Sequence, residues 1–128
     1  MKNQCEKIAK QHWATLTLLL LAAITFLSLW PLKELPGVPG TDKTHHLLAY
    51  ALLMLPTAVR KPRYWLAYAL LFITYSGMIE LIQPGVNRHG EWLDLLANAT
   101  GVLCGALIGS SIRALWQRLA CKEQQRRQ

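Results

Sequence analysis

Two stretches of this 128-residue chain hold residues whose types and spacing suit chemistry. In "TDKTHHLLAY" (41–50), Asp42, Lys43, His46 and Tyr50 fall on one stripe of a helix at about 100° per residue. In "IELIQPGVNRHGEWLDLLANATG", Glu80 and Gln83 stand one helical turn apart, Arg88 follows in a turn-rich segment, and Asp94 and Asn98 are again one turn apart. His46, with Asp42 one turn before it, has the makings of a base oriented by a carboxylate, and Glu80 of an acid. Lys43 and Arg88 suit an anion such as phosphate, the more so beside two helix N-termini. Three acids beside them suit hydroxyl or amine groups. Histidine with carboxylates is also a metal-ligand set, but no HExxH or CxxC spacing accompanies it, so no metal is expected. No nucleophile elbow and no glycine-rich phosphate loop occurs, and no cofactor is implied.

What must position these residues is a set of apolar blocks. Trp13 to Trp30 and Leu95 to Ile112 are each 18 residues without a charge, Tyr64 to Ile79 adds 16, and Leu47 to Val59 adds 13. A run of about 18 apolar residues, rising about 1.5 Å each, is long enough to cross hydrocarbon. Four blocks predict an all-α, four-helix transmembrane bundle with short loops. The first block is too long for a signal-peptide core and lacks a small-x-small site, so it reads as an uncleaved helix. The expected layout is an N-terminal segment (1–11), a four-helix membrane domain (12–116) and a polar tail (117–128).

The net charge of +7 does not indicate nucleic acid, because of where the charges lie. Eleven of the fourteen Lys and Arg fall in the N-terminus, in "RKPR" (60–63) and in the tail from Arg113. That is the positive-inside pattern, placing both termini and the 60–63 turn in the cytoplasm. Trp30 and Trp92 then fall at the outer boundary and Trp13, Trp65 and Trp116 at the inner one, where tryptophan is favoured. Helices are expected over about 12–31, from 41 or 42 past Pro56, up to Gln83, and from Trp92 to Trp116. By this layout Cys5 and Cys121 are cytoplasmic and Cys104 is mid-membrane, so no disulfide framework is expected.

With that topology every membrane-edge ionisable group collects at the outer ends of the helices. Each has a plain structural explanation: Asp42 and Asp94 as helix-start acids, Lys43 and Arg88 as side chains snorkelling to headgroups. Glu80 lies within an apolar block, where an acid costs a few kcal/mol and needs a partner, a proton or water. A nearly neutral network that pins helix ends is the structural alternative to a binding pocket. Gly101, Gly105 and Gly109 form a stripe at every fourth residue that allows close helix packing, within the bundle or in a homo-oligomer.

These residues together resemble the VanZ-like membrane proteins, whose D-K-x-x-H-x-x-x-Y signature is similar to "DKTHHLLAY". The later E-x-x-Q, R and D-x-x-x-N-x-x-G elements follow in order, over roughly residues 36 to 110. The matching positions are Asp42, Lys43, His46, Tyr50, Glu80, Gln83, Arg88, Asp94, Asn98 and Gly101; Leu47 stands where the family often has an aromatic residue. The resemblance implies a multi-pass protein of the bacterial cytoplasmic (inner) membrane with an envelope role, and a link to teicoplanin tolerance. It supplies no reaction. Two functions fit the residues: an outward pocket binding a membrane lipid or lipid-linked cell-wall precursor by its headgroup, or a hydrolase or transferase acting on such a lipid with His46 and Glu80 as base and acid. A transporter, which would place sites at midplane on broken helices, fits less well.

Overall fold

A computed structural model describes residues 4, 7, 8, 11–30, 42–86 and 91–128. The elements are α1 (Trp13–Leu29), α2 (Asp42–Arg60), α3 (Trp65–Ile82), a short 3-10 turn (Gln83–Val86) and α4 (Trp92–Arg126), with no strand among the described residues. The all-α, four-helix expectation therefore holds. The first connecting loop (31–40), Arg88 and Cys5 lie outside the described residues. Cys104 and Cys121 are free thiols.

Short connections make successive helices antiparallel, and side-chain contacts at the helix ends agree. At one end, the ring of Trp13 on α1 meets Tyr68 on α3 edge-on, with centroids 5.6 Å apart. At the other, Lys43 of α2 reaches Glu91, which directly precedes α4, and Gln83 reaches the Ser28 carbonyl near the end of α1. The end of α1, the start of α2, the end of α3 and the start of α4 thus share one pole.

The closest pairing is α2 with α4, and glycine makes it possible. A Cβ added to Gly101 would collide with the Leu47 carbonyl oxygen, and one added to Gly105 with the Ala51 carbonyl oxygen. At Gly109 it would lie 2.5 Å from the Ala58 Cβ. Within the chain the stripe therefore packs against α2. Tyr50, Leu53, Met54 and Ala58 of α2 form the core with Phe72, Val102 and Ile24 from the other three helices. Hydroxyls contribute a further tie, Thr25 of α1 bonding Tyr75 of α3.

The outside of the bundle is apolar and part of its inside is polar. Leu18, Leu19, Leu70, Leu81, Leu103 and Leu107 are all more than half exposed, while Thr57, Ser76, Gln83, Asp94 and Asn98 are buried. A water-soluble bundle sorts its residues the other way. Residues 65–86 and α4 are long and apolar enough to cross a membrane; α1 is apolar but shorter, at 17 residues.

The polar end of the chain differs from expectation. Instead of stopping near Trp116, α4 continues to Arg126. The tail "ACKEQQRR" contains strong helix formers and no Gly or Pro, so nothing stops the helix. Pro56 lies inside α2 without ending it. That helix ends at Arg60, whose carbonyl accepts a 2.6 Å hydrogen bond from Arg113 of α4; Lys61 then takes a left-handed conformation with φ of 49°.

Candidate functional site

Asp42, Lys43 and His46 open α2, Glu80 and Gln83 stand at the end of α3, and Asp94 and Asn98 open α4, all at the shared pole. The centre is Asn98, which is only 1% exposed. Its Oδ1 lies 3.0 Å from His46 Nδ1. Its amide nitrogen donates to Ser76 Oγ at 2.6 Å and to Glu80 Oε1 at 3.4 Å. One side chain of α4 thus joins α2 and α3. Because the amide oxygen is an acceptor, His46 Nδ1 carries the proton and donates it, which leaves Nε2 with a free lone pair in the neutral ring.

Glu80 Oε1 also lies 3.8 Å from His46 Nδ1, and both side chains are nine-tenths buried. His46 Nε2 faces Asp42 Oδ1 at 4.0 Å. That is too long for a hydrogen bond, so the group that orients the imidazole is Asn98 and not the carboxylate one turn before it. Asp42 sits on the exposed first turn of α2, whereas Asn98 faces the ring from the neighbouring helix.

Toward the surface, Lys43 Nζ pairs with Glu91 Oε2 at 3.0 Å and stands 3.9 Å from Asp94 Oδ1. The hydrogen bond to Glu91, then its negative charge, raises the Lys43 pKa above the ordinary lysine value. Glu91 is also the residue at which α4 begins, yet no side chain caps that helix by a hydrogen bond. Asp94, in the first turn of α4, is buried, and its Oδ1 has no hydrogen-bond partner among the described residues. Glu80 Oε2 is likewise buried and unpartnered. Asp94 thus stands as the first-turn acid of α4 with one carboxylate oxygen, Oδ1, that no described residue donates to.

Gln83 turns away from this centre: its Nε2 donates to the Ser28 carbonyl of α1 at 3.3 Å. Tyr50 is buried one turn below His46, with its hydroxyl unbonded. Two participants were missed by the sequence reading. Ser76 precedes Glu80 by one turn, and that spacing alone places it on the same face of α3. Glu91, directly before Trp92, offered only its charge.

A family model described as VanZ/LLP1 matches residues 6–113, most of the chain. The chain belongs to the VanZ/LLP1 family. No curated protein and no solved structure matches it. In this VanZ/LLP1 chain the residues of the two sequence signatures that are described converge at one pole of an apolar bundle, a distribution compatible with a membrane protein.

Proposed function

We propose that this VanZ/LLP1 chain is a multi-pass protein of the bacterial inner membrane, with both termini in the cytoplasm. Its polar pole faces outward and binds the polar headgroup of a lipid or a lipid-linked cell-wall precursor. The observation that carries this reading is the pair of buried carboxylate oxygens, Asp94 Oδ1 and Glu80 Oε2, that lack a hydrogen-bond donor beside the bonded His46–Asn98–Ser76 network. Unmet acceptors in a buried site are costly, and a ligand's hydroxyl or amide groups would satisfy them. Lys43 and Arg88 would meet its phosphate, with Asn98 completing the polar wall and Tyr50 its floor, while Gln83 ties α3 to α1 behind it.

Native mass spectrometry of the protein released from mild detergent tests this, beside Glu80→Gln and Arg88→Ala variants of equal thermal stability. A lipid of discrete mass that both variants lose is the expected result. No discrete lipid, or one lipid retained in all three samples, reduces the cluster to a network that pins helix ends. The tie to teicoplanin tolerance is tested by susceptibility of a strain lacking this chain, with and without its restoration.

A catalytic version of this reading is favoured by one detail. His46 donates through Nδ1 to Asn98 and keeps Nε2 bare toward the rim, the form a general base requires. In a hydrolase or transferase, His46→Gln would abolish turnover of a lipid-linked substrate while leaving its binding intact.

A further inference from the structure

Around the proposed phosphate site the described charges are mostly of the wrong sign for an anion. Lys43, the one lysine or arginine that the described residues bring to this pole, faces Glu91 and Asp94, while Asp42 and Glu80 face His46 beside it. Phosphate approaching such a group meets carboxylates first, and two of these, Glu80 and Asp94, are buried where water screens them poorly.

Three of the groups are set out as ligands. One donor atom each from Asp42, His46 and Asp94 lies within 4.8 Å of the others. Two independent features single this trio out. Asp94 Oδ1, on a side chain only 3% exposed, has no hydrogen-bond donor. His46 is held from behind, its Nδ1 bonded to Asn98 Oδ1 while Asn98 is itself fixed by Ser76 and Glu80. Metal-binding histidines characteristically donate their second ring N–H to such a partner, which fixes the tautomer and aims the other nitrogen.

We infer that Asp42, His46 and Asp94 bind a divalent metal ion, with His46 Nε2 and one oxygen of each aspartate as ligands. Imidazole and carboxylate donors suit zinc or manganese. With bonds of about 2.1 Å, tetrahedral ligands stand about 3.4 Å apart, so the 4.0 Å between His46 Nε2 and Asp42 Oδ1 and the wider separations in the trio, up to 4.8 Å, must close when the ion binds. Asp42 is the exposed member of the trio, its side chain 58% exposed. Lys43, 3.9 Å from Asp94 Oδ1, would remain with Glu91, to which it is bonded. Three protein ligands leave a position open on the ion, and a phosphate oxygen would fill it. That last step rests on the headgroup reading; the metal site does not.

The test uses the full chain in mild detergent, stripped with chelator and dialysed, with Mn²⁺ and Zn²⁺ alone as probes. Free Mn²⁺ is followed by its electron paramagnetic resonance signal and Zn²⁺ by elemental analysis after equilibrium dialysis. One ion per chain is expected, with affinity reduced at least tenfold in Asp94→Asn and in Asp42→Asn. The second variant lies on the exposed rim and is compared at a thermal stability equal to wild type, so a misfolded Asp94→Asn protein does not blunt the test. Asn98→Ala, which leaves all three ligands in place, is expected to weaken binding about tenfold or more through loss of His46 orientation. Equal uptake by wild type and Asp42→Asn overturns the inference, as does no uptake, or uptake only after Lys43→Gln, which would make the lysine ammonium the resident cation. Lipid retention measured with and without chelator separates the two ideas. Lipid held equally with and without metal defeats only the phosphate on the ion's open position and spares the headgroup site; metal bound without lipid defeats the headgroup site and spares the metal.

Discussion

His46 Nδ1 and Asn98 Oδ1 lie 3.0 Å apart across 52 residues of sequence, and this single bond joins the second turns of α2 and α4. Asn98 uses its remaining amide hydrogens on α3, so three helices meet at one buried side chain.

Replacing that side chain should be severe. Asn98→Ala strands the His46 N–H and removes the donor to Ser76 and Glu80, and leaving buried polar groups unmet costs about 1–3 kcal/mol. A loss of about 2–3 kcal/mol is expected in reversible unfolding in mixed micelles. An unchanged midpoint would show that the network contributes nothing to stability.

The glycine stripe predicts a graded result. Gly101→Ala and Gly105→Ala drive a methyl group into α2 carbonyl oxygens, and overpacking of this kind costs about 1–3 kcal/mol. Gly77→Ala is the control, since its added methyl would meet only the Leu95 side chain at 3.9 Å. It should be neutral or stabilising by up to about 1 kcal/mol through helix propensity. Equal losses at all three positions would contradict the packing.

The hydroxyl pair of Thr25 and Tyr75 should behave as one unit linking α1 to α3. A double-mutant cycle with Thr25→Val and Tyr75→Phe is expected to give a coupling of about 0.5–1.5 kcal/mol, the usual net worth of a hydrogen bond. Additive single losses would mean that the two hydroxyls act independently.

For Lys43 the sign of the pH effect is fixed by the direction of its shift. The folded pKa lies above the ordinary 10.5, so the stabilising contribution is complete below that value and disappears as pH rises through the folded one. The difference in melting temperature between wild type and Lys43→Gln should therefore stay flat from neutral to mildly alkaline pH and shrink only in strong alkali. A difference that changes near pH 7 would point to another group.

Much of this arrangement was legible in the residues. The four helices follow from apolar block length, the shared pole from the alternation of short turns, and the inward face of α4 from Gly101, Gly105 and Gly109. Period within a helix says which residues share a face, not which partner each finds on another helix. Thus His46 looked set to pair with Asp42, four residues away, but takes Asn98, and Gln83 looked set for the cluster but takes the Ser28 carbonyl. Glu91 was overlooked because its role depends on where Lys43 arrives, which only tertiary structure decides. The helical tail went unforeseen because its polar composition has no bundle face, although its propensity is high.

The seating of the α4 glycines on the α2 backbone carries a consequence for how the molecule is made. A ribosome delivers α2 before α3 and α4, so a nascent chain already carrying Asp42, His46 and Tyr50 has no Asn98 for the histidine and no glycine stripe for Leu47 and Ala51. The polar pole is completed last, by the helix synthesised last. A chain interrupted after α3 would present a lone imidazole and an unpaired acid to its surroundings, the kind of lesion by which a quality-control protease could recognise an unfinished protein.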